Sequence, residues 1–347
     1  MLPNSANMTV AELKPNRPLI TNILVLTDFS DCSRQALGHA VLLARRYRAT
    51  ITLLHVILPG HWPIKNAEKP RTTLKRLEAG LAQKGLFTAI PHSLLVKQGS
   101  AWSVVSQVLT QRKIDLIVTG THGRPGWEMI WMGSFAETVF RRARCPVLTV
   151  GPRNRPPEPD AALNSVLFAT DFSDESEAAE PYAFALASAN GAKLILLHVL
   201  KPGRTTPAEQ MKKRLDDAKA KLRATMLHLA AERSGSIPDL KVEVGRPAET
   251  ILKMAERIEA DLVVLGATAP RRLADRLGST TAYRVVCQAP CPVLTIREPS
   301  LIDYFQHLFA VMPKINSGSD GRIRSRSSIA YAWWDPFLKI KNQRQKS

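Results

Sequence analysis

Four cysteines in 347 residues, Cys32, Cys145, Cys287 and Cys291, are too few for a disulfide scaffold. Cys287 and Cys291 are separated by three residues, with no second pair at metal-site spacing, so the cysteines read as small buried hydrophobes in a reducing compartment. No stretch approaches the roughly 18 consecutive apolar residues of a membrane span. The first ten residues, M-L-P-N-S-A-N-M-T-V, lack a basic region followed by an apolar one, and a soluble cytoplasmic protein is the expectation. Acidic residues are scarce: 30 Asp and Glu face 48 Lys and Arg, a net charge of +18, which raises nucleic acid and membrane surfaces as partners. The excess is uneven, with 19 basic against 8 acidic residues over 1–150, 21 against 19 over 151–299 and 8 against 3 over 300–347. Such a distribution suits an anionic ligand in the first part of the chain, and a general solvated basic surface accounts for it as well.

What is present is a glycine-bearing stretch between two regular segments. Gly120 to Ser134 reads G-T-H-G-R-P-G-W-E-M-I-W-M-G-S, after the apolar run I-D-L-I-V-T and before a segment with helical spacing. A glycine loop between a buried strand and a helix is where α/β folds hold phosphates. Gly120, Gly123 and Gly133 let the backbone turn sharply and approach a ligand, and Ser134 falls at the mouth of the next helix, where amide donors and the dipole favour an anion.

Taken in order, residues 1–20 are polar and proline-bearing and read as a flexible segment. A strand at 22–27 ends in T-D-F-S-D, and Ala36, Leu37, Ala40, Val41 and Ala44 then recur at helical spacing. Strands at 51–56, 93–97, 114–119 and 146–150 alternate with helices at 71–84, 102–111 and one ending at Ala143. This alternation implies a parallel, doubly wound sheet. Residues 151–162, opening with G-P-R-N-R-P-P-E-P-D, read as a linker.

The unit then returns. I-L-V-L-T-D-F-S-D at 23–31 recurs as V-L-F-A-T-D-F-S-D at 166–174, and L-L-H-V at 53–56 recurs at 196–199, both shifted by 143. I-D-L-I-V-T-G at 114–120 recurs as A-D-L-V-V-L-G at 260–266, and C-P-V-L-T-V at 145–150 recurs as C-P-V-L-T-I at 291–296, both shifted by 146. Four ordered matches at nearly constant offset make the chain a tandem duplication: one domain over 21–150, a second over 163–298. Residues 299–347 have no counterpart in the first copy. They hold a candidate amphipathic helix at 301–312 and a basic aromatic end, A-Y-A-W-W-D-P-F-L-K-I-K, suited to a membrane surface, nucleic acid or a protein partner, against the commoner reading of a tail that is partly disordered or packs on its own domain.

The loop is similar to the nucleotide-binding motif of the universal stress protein family, G-x2-G-x9-G-[S/T], and Gly120, Gly123, Gly133 and Ser134 match it in identity and spacing. T-D-F-S after strand one, L-L-H-V in strand two, D-L-I-V before the loop and the final C-P-V-L also resemble that family. The resemblance implies two flavodoxin-like (adenine nucleotide alpha hydrolase-like) α/β domains, each a five-stranded parallel sheet in the order 3-2-1-4-5 flanked by helices. It implies ATP, with or without magnesium, as ligand. Thr27 and Asp28 would lie in the site, with the Asp28 carboxylate meeting ribose or base, and Val56 would touch the adenine. Gly120, Gly123, Gly133 and Ser134, with the Phe135 amide, would surround the phosphates. Bland readings stand beside these: Asp28 as a cap or turn residue, Val56 as core, the glycines as tight turns without ligand. His55 and His198 read as packing residues at strand ends, and His122 as a loop residue without a catalytic partner. The resemblance also implies pairing through the last strands, common among family members, and here Val147–Val150 and Val293–Ile296 could pair within one chain as a pseudo-dimer. Association of two chains is left open.

The second copy departs from the motif. Its loop has Ala269 at the second glycine and eight residues before Gly278, while Asp171, Val199, Gly266, Gly278 and Ser279 remain as a vestigial site. Nucleotide is therefore expected in the first domain and weakly or not at all in the second. No lysine follows Gly133 as a Walker loop requires, no S-G-G-x-D-S follows strand one as in adenylating pyrophosphatases, and no dinucleotide fingerprint is present. Because no general base is placed, hydrolysis is at most slow. The expectation is an ATP-binding sensor or regulator of the stress response, against a nucleotide-independent interaction module using the basic surface or the tail.

Overall fold

The computed structural model describes residues 20–58, 70–83, 88–121, 132–158, 162–202, 207–232, 237–267 and 280–297. In the first repeat, β1 (Asn22–Leu26), β2 (Thr50–Ile57), β3 (His92–Gln98), β4 (Leu116–Gly120) and β5 (Val147–Val150) alternate with α1 (Asp31–Tyr47), α2 (Pro70–Gln83), α3 (Ala101–Gln111) and α4 (Ser134–Arg142). The second repeat has β6 (Ser165–Thr170), β7 (Lys193–Leu200), β8 (Asp239–Val244), β9 (Leu262–Gly266) and β10 (Val293–Ile296), with α5 (Asp174–Asn190), α6 (Ala208–Glu232), α7 (Pro247–Arg257) and α8 (Thr281–Gln288). Chain contacts divide the protein into Met1–Glu298 and Pro299–Ser347. The expected tail helix and the lead-in at 1–19 lie outside the described residues.

Local chemistry explains the elements. Ser30 caps α1 by accepting from the Ser33 amide, Asp31 sits in its first turn, and Arg48 ends it in the left-handed region at φ 54. The predicted stripe Ala36, Leu37, Ala40, Val41 and Ala44 is the face that buries. In α5, Ser173 caps in the same way and Gly191 closes the helix at φ 63. Ile23 through Leu26 are all buried, because a parallel strand is covered by helices on both faces and so reads as a continuous apolar run.

Strand order is β3-β2-β1-β4-β5-β10-β9-β6-β7-β8, in one ten-stranded sheet. Each half therefore has the expected 3-2-1-4-5 order, and the two five-stranded sheets are continuous with each other. They join antiparallel, with Val147 opposite Thr295, Leu148 opposite Leu294 and Thr149 opposite Val293. Thr149 donates to the Val293 carbonyl at 3.1 Å and Thr295 to the Val147 carbonyl at 3.3 Å, both buried. Two edges that would otherwise show unpaired amides and carbonyls are thus closed against each other. Packing also crosses the repeats, since Met132, Ala136 and Phe140 share a core cluster with Tyr283, Val286 and Cys287.

The Asp of each D-L-[IV]-V motif braces the opposite, amino-terminal edge of the sheet. Asp115 accepts from the Thr21 amide and hydroxyl at 2.9 and 2.6 Å, and Asp261 accepts from the Asn164 and Ser165 amides at 2.7 and 3.0 Å. No disulfide joins any of the four cysteines; burial pushes the Cys145 and Cys291 thiols up to about 12 and the Cys287 thiol up to about 11.

Glu180 on α5 is half-buried, and burial, with the Glu177 charge second, pushes its carboxyl from 4.5 up to about 7. The folded state then holds a proton that the unfolded chain releases between pH 4.5 and 7, so this group weakens folding as pH rises through that window. Glu180→Gln should stabilise the protein at pH 8 by about 1 kcal/mol, a value reduced for solvent screening, and have no effect at pH 4.5. Urea unfolding at the two pH values measures the difference.

Candidate functional site

The crevice of a doubly wound sheet lies at the carboxyl ends of its strands, where the strand order reverses. In the first repeat that point is between β1 and β4, which pair with Val25 opposite Val118. Thr27, just past β1, is buried; its amide donates to the Leu54 carbonyl at 3.0 Å, and its hydroxyl accepts from the Phe29 amide at 3.1 Å. Asp28 is exposed at the rim. Its carboxylate accepts from the Ser30 amide at 3.0 Å, a turn contact.

Phe29 and its repeat counterpart Phe172 take positive φ, 68° and 61°, which costs a non-glycine residue about 1 kcal/mol or more. Each ring lies on the histidine of the L-L-H-V motif: Phe29 on His55 at 4.6 Å between centroids, Phe172 on His198 at 4.4 Å. His55 and His198 each place Nδ1 2.8 Å from the carbonyl of Thr27 or Thr170. A ring nitrogen beside a carbonyl must donate, so both histidines carry the Nδ1 proton and brace the D-F-S turn, consistent with the packing role expected of them. Burial lowers the His198 pKa.

Val56, half-buried near the end of β2, packs against the core under the crevice. Across from it, Gly120 closes β4, and the buried Thr121 carbonyl accepts from the Gly133 amide at 2.7 Å, bringing both ends of the glycine loop together. Gly123 and His122 lie outside the described residues. Gly133 is the residue before α4, at φ −57, and no side chain caps this helix. Ser134 is exposed in its first turn and Phe135 is half-buried. Neither Gly120 nor Gly133 has positive φ, so conformational freedom is not what glycine supplies at these two positions. At Gly120 the need is space: a Cβ would stand 2.8 Å from the Cys32 carbonyl carbon and 2.9 Å from the Ser33 amide nitrogen. That atom-to-atom approach of α1 had no local signal in the sequence.

The second repeat has the same corner with different wiring. Asp171 accepts from the hydroxyls of Ser173 at 2.6 Å and Ser176 at 2.8 Å and from the Ser173 amide at 3.1 Å. Burial opposes its charge, yet these donors, those of Ser173 foremost, win and hold its pKa below the usual carboxylate value. Val199 is half-buried, and Gly266 meets the start of α5 still more closely, with a Cβ 2.5 Å from Glu175 carbon and Ser176 nitrogen. Gly278, Ser279 and Ala269 lie outside the described residues. Unlike α4, α8 is capped from within, Thr280 accepting from the Tyr283 amide at 3.2 Å.

A cavity of about 350 Å³ lies elsewhere, lined by His39 and Leu43 of α1, Tyr182 and Leu186 of α5, and Asp115 and Asp261. Those two aspartates mark the amino ends of the strands, so this cavity is on the far edge from the crevice.

Fold and site together define a duplicated, doubly wound α/β protein of the flavodoxin-like class with a crevice at each strand-order reversal. The model of the universal stress protein family matches residues 20–151 and again 163–297, and the chain belongs to that family. Among relatives, a universal stress protein of Mycobacterium tuberculosis is 30% identical over 295 residues, covering 80% of this chain and 96% of its own length. One from Thermus aquaticus is 35% identical over 142 residues, covering 39% of this chain and 99% of its own. The crystal structure of a universal stress protein from Archaeoglobus fulgidus has a similar fold, with a TM-score of 0.58 at 20% identity over 80% of this chain and 98% of that one. Among the described residues no helix is long and apolar enough to cross a membrane.

Proposed function

We propose that the first repeat, residues 21–150, binds an adenine nucleotide, ATP in the first instance, and that the protein is a cytoplasmic sensor or regulator of the stress response with slow or no turnover. In this reading the linker 151–162 joins a second domain, 163–298, whose own site is vestigial, and 299–347 is an appended tail. Asp28 would accept from ribose or base donors, and Val56 would lie against the adenine beside Thr27. Gly120, Gly133, Ser134 and the Phe135 amide, with Gly123, would face the phosphates. The observation that carries the reading is α4. It begins at the carboxyl edge of the sheet, beside β4, with a glycine where a capping side chain would stand, so its first-turn amides have no acceptor supplied by a cap. In the second repeat Thr280 occupies that role for α8, and Asp171 is engaged by two serine hydroxyls, which supports weak or no binding there. Among the described residues no group of three or more His, Cys, Asp or Glu could hold a metal, so magnesium would arrive with the nucleotide.

Denaturing the purified protein should release adenine nucleotide, and ATP at about 100 times its Kd should stabilise it by about 2.7 kcal/mol, read as a rise in Tm with and without magnesium. Asp28→Ala should weaken ATP about tenfold by calorimetry, whereas Asp171→Ala should leave ATP affinity unchanged. Protein that is nucleotide-free and indifferent to ATP would replace this reading with the interaction module, engaging its partner through the basic surface or tail.

A further inference from the structure

The second repeat reaches into the first at the helix that the nucleotide reading depends on. Tyr283 of α8 accepts, through its hydroxyl, the hydrogen bond of the Met132 amide at 3.2 Å. Met132 is 4% exposed and immediately precedes Gly133 and Ser134, so this bond fixes the lead-in to α4. Cys287, one turn further along α8, also faces the Met132 amide and the Tyr283 hydroxyl. The Tyr283 ring meets Phe140 edge-on, 6.2 Å between centroids at 69°. At the other end of α4, Arg297, just past β10, donates to the carbonyls of Phe140 and Arg141 and lies 5.4 Å over the Phe140 ring. Those carbonyls are the unpaired last-turn acceptors of α4, where a cation also complements the helix dipole.

At the amino end the grip has no counterpart among the described residues, Tyr283 corresponding by the shift of 146 to Glu137. Glu137 instead pairs with Arg141 of its own helix at 3.5 Å. At the carboxyl end it is mutual, since Arg153 and Asn154, just past β5, donate to the Gln288 and Ala289 carbonyls at the end of α8, both at 3.0 Å.

We propose that the second repeat serves the nucleotide site of the first by holding α4 at both ends, with Tyr283 as the positioning residue that fixes Met132 so that Gly133 and Ser134 are presented to the phosphates. The inference rests on the nucleotide reading above. It gives the degenerate repeat a task that does not require a ligand of its own. Because the Tyr283 hydroxyl, unlike its ring, acts on the phosphate end alone, its loss should discriminate between ligands with and without phosphates.

The test is calorimetry on the full chain with ATP and, separately, with adenosine. Tyr283→Phe removes the oxygen acceptor and leaves the Met132 amide only the weakly accepting Cys287 sulfur, so the ATP Kd should rise about fivefold while the adenosine Kd stays within error. Arg297→Lys, which keeps the charge but loses the two-pronged grip, should produce the same selective loss at the other end of the helix. Thr295→Val is the control: it removes a buried bond between the repeats, to the Val147 carbonyl, away from α4, and should leave the ratio of the two affinities unchanged. If Tyr283→Phe changes neither ligand, or weakens both alike, or if Thr295→Val shifts the ratio as much, the positioning role is overturned. Wild-type protein that binds no ATP overturns the nucleotide reading itself, a result visible before any variant is measured.

Discussion

Gly266→Ala is expected to lower the unfolding free energy by about 3 kcal/mol, and Gly120→Ala by about 2 kcal/mol, in protein free of any ligand. At both positions the added methyl meets backbone, not a movable side chain: at 2.5 Å from Glu175 carbon, Ser176 nitrogen near Gly266, and at 2.8–2.9 Å from Cys32 and Ser33 at Gly120. Helix and strand would have to part, and the start of α1 or α5 carries the capping serine and the D-F-S turn with it. The closer approach at Gly266 sets the order of the two effects. Urea denaturation of each variant decides the matter. If Gly120→Ala kept wild-type stability and lost only nucleotide affinity, the glycine would be there for the ligand, contrary to the geometry. The methyl-sized gap therefore separates two explanations that the loop motif cannot separate: room for a phosphate, and room for a helix.

Acid should weaken the fold through His39. Its ring is largely buried on α1, and burial lowers its pKa from 6.5 to about 4, although a hydrogen bond to the Arg155 backbone works the other way. Between pH 6.5 and 4 the unfolded chain takes up a proton that the folded one refuses, so stability falls as pH drops through this window, by up to about 3 kcal/mol. Its Nε2 is buried without a hydrogen-bond partner among the described residues, which fits a neutral ring with its proton on the other nitrogen. Glu180 contributes with the opposite sign over an overlapping range, so the comparison is wild type against His39→Gln, measured as the difference between unfolding free energies at pH 7 and pH 4.5. The variant should lose most of the acid sensitivity. An unchanged pH profile, or a His39 resonance titrating near 6.5 in NMR, would show the ring to be solvated.

The motifs of the crevice were legible because each is written in adjacent residues. T-D-F-S makes a turn whose capping serine and aspartate act two or three positions away, and L-L-H-V puts a histidine two residues from the end of its strand. Their recurrence at a fixed shift supplied a second copy of the same message. What those letters did at the site was less legible. Asp28 and Asp171 have the same neighbours D-F-S-D, yet Ser176 turns its hydroxyl to Asp171, while its counterpart Ser33 turns to Ser30 and Thr27. The aspartate of D-L-I-V preceded the glycine loop in sequence but works at the far edge of the sheet, holding Thr21 and Asn22.

By itself the sequence determined the repeat, the alternation of strands and helices, the 3-2-1-4-5 order through its family likeness, and the residues that gather at the carboxyl edge. Local periodicity and self-similarity carry that information, because a strand or helix buries its apolar face with the same spacing wherever it packs. Tertiary structure alone decided that the glycines at 120 and 266 make room for helices and that Tyr283 and Arg297 hold α4 from the other repeat, and it fixed the antiparallel register of the β5–β10 seam that the family likeness had suggested. Those contacts join residues more than 140 positions apart, except at the glycines, where they join a strand to a helix about 90 positions earlier. At such separations a pairing leaves no periodic trace in the chain, and it becomes fixed only when packed surfaces, unpaired edges and buried polar groups must all be satisfied together.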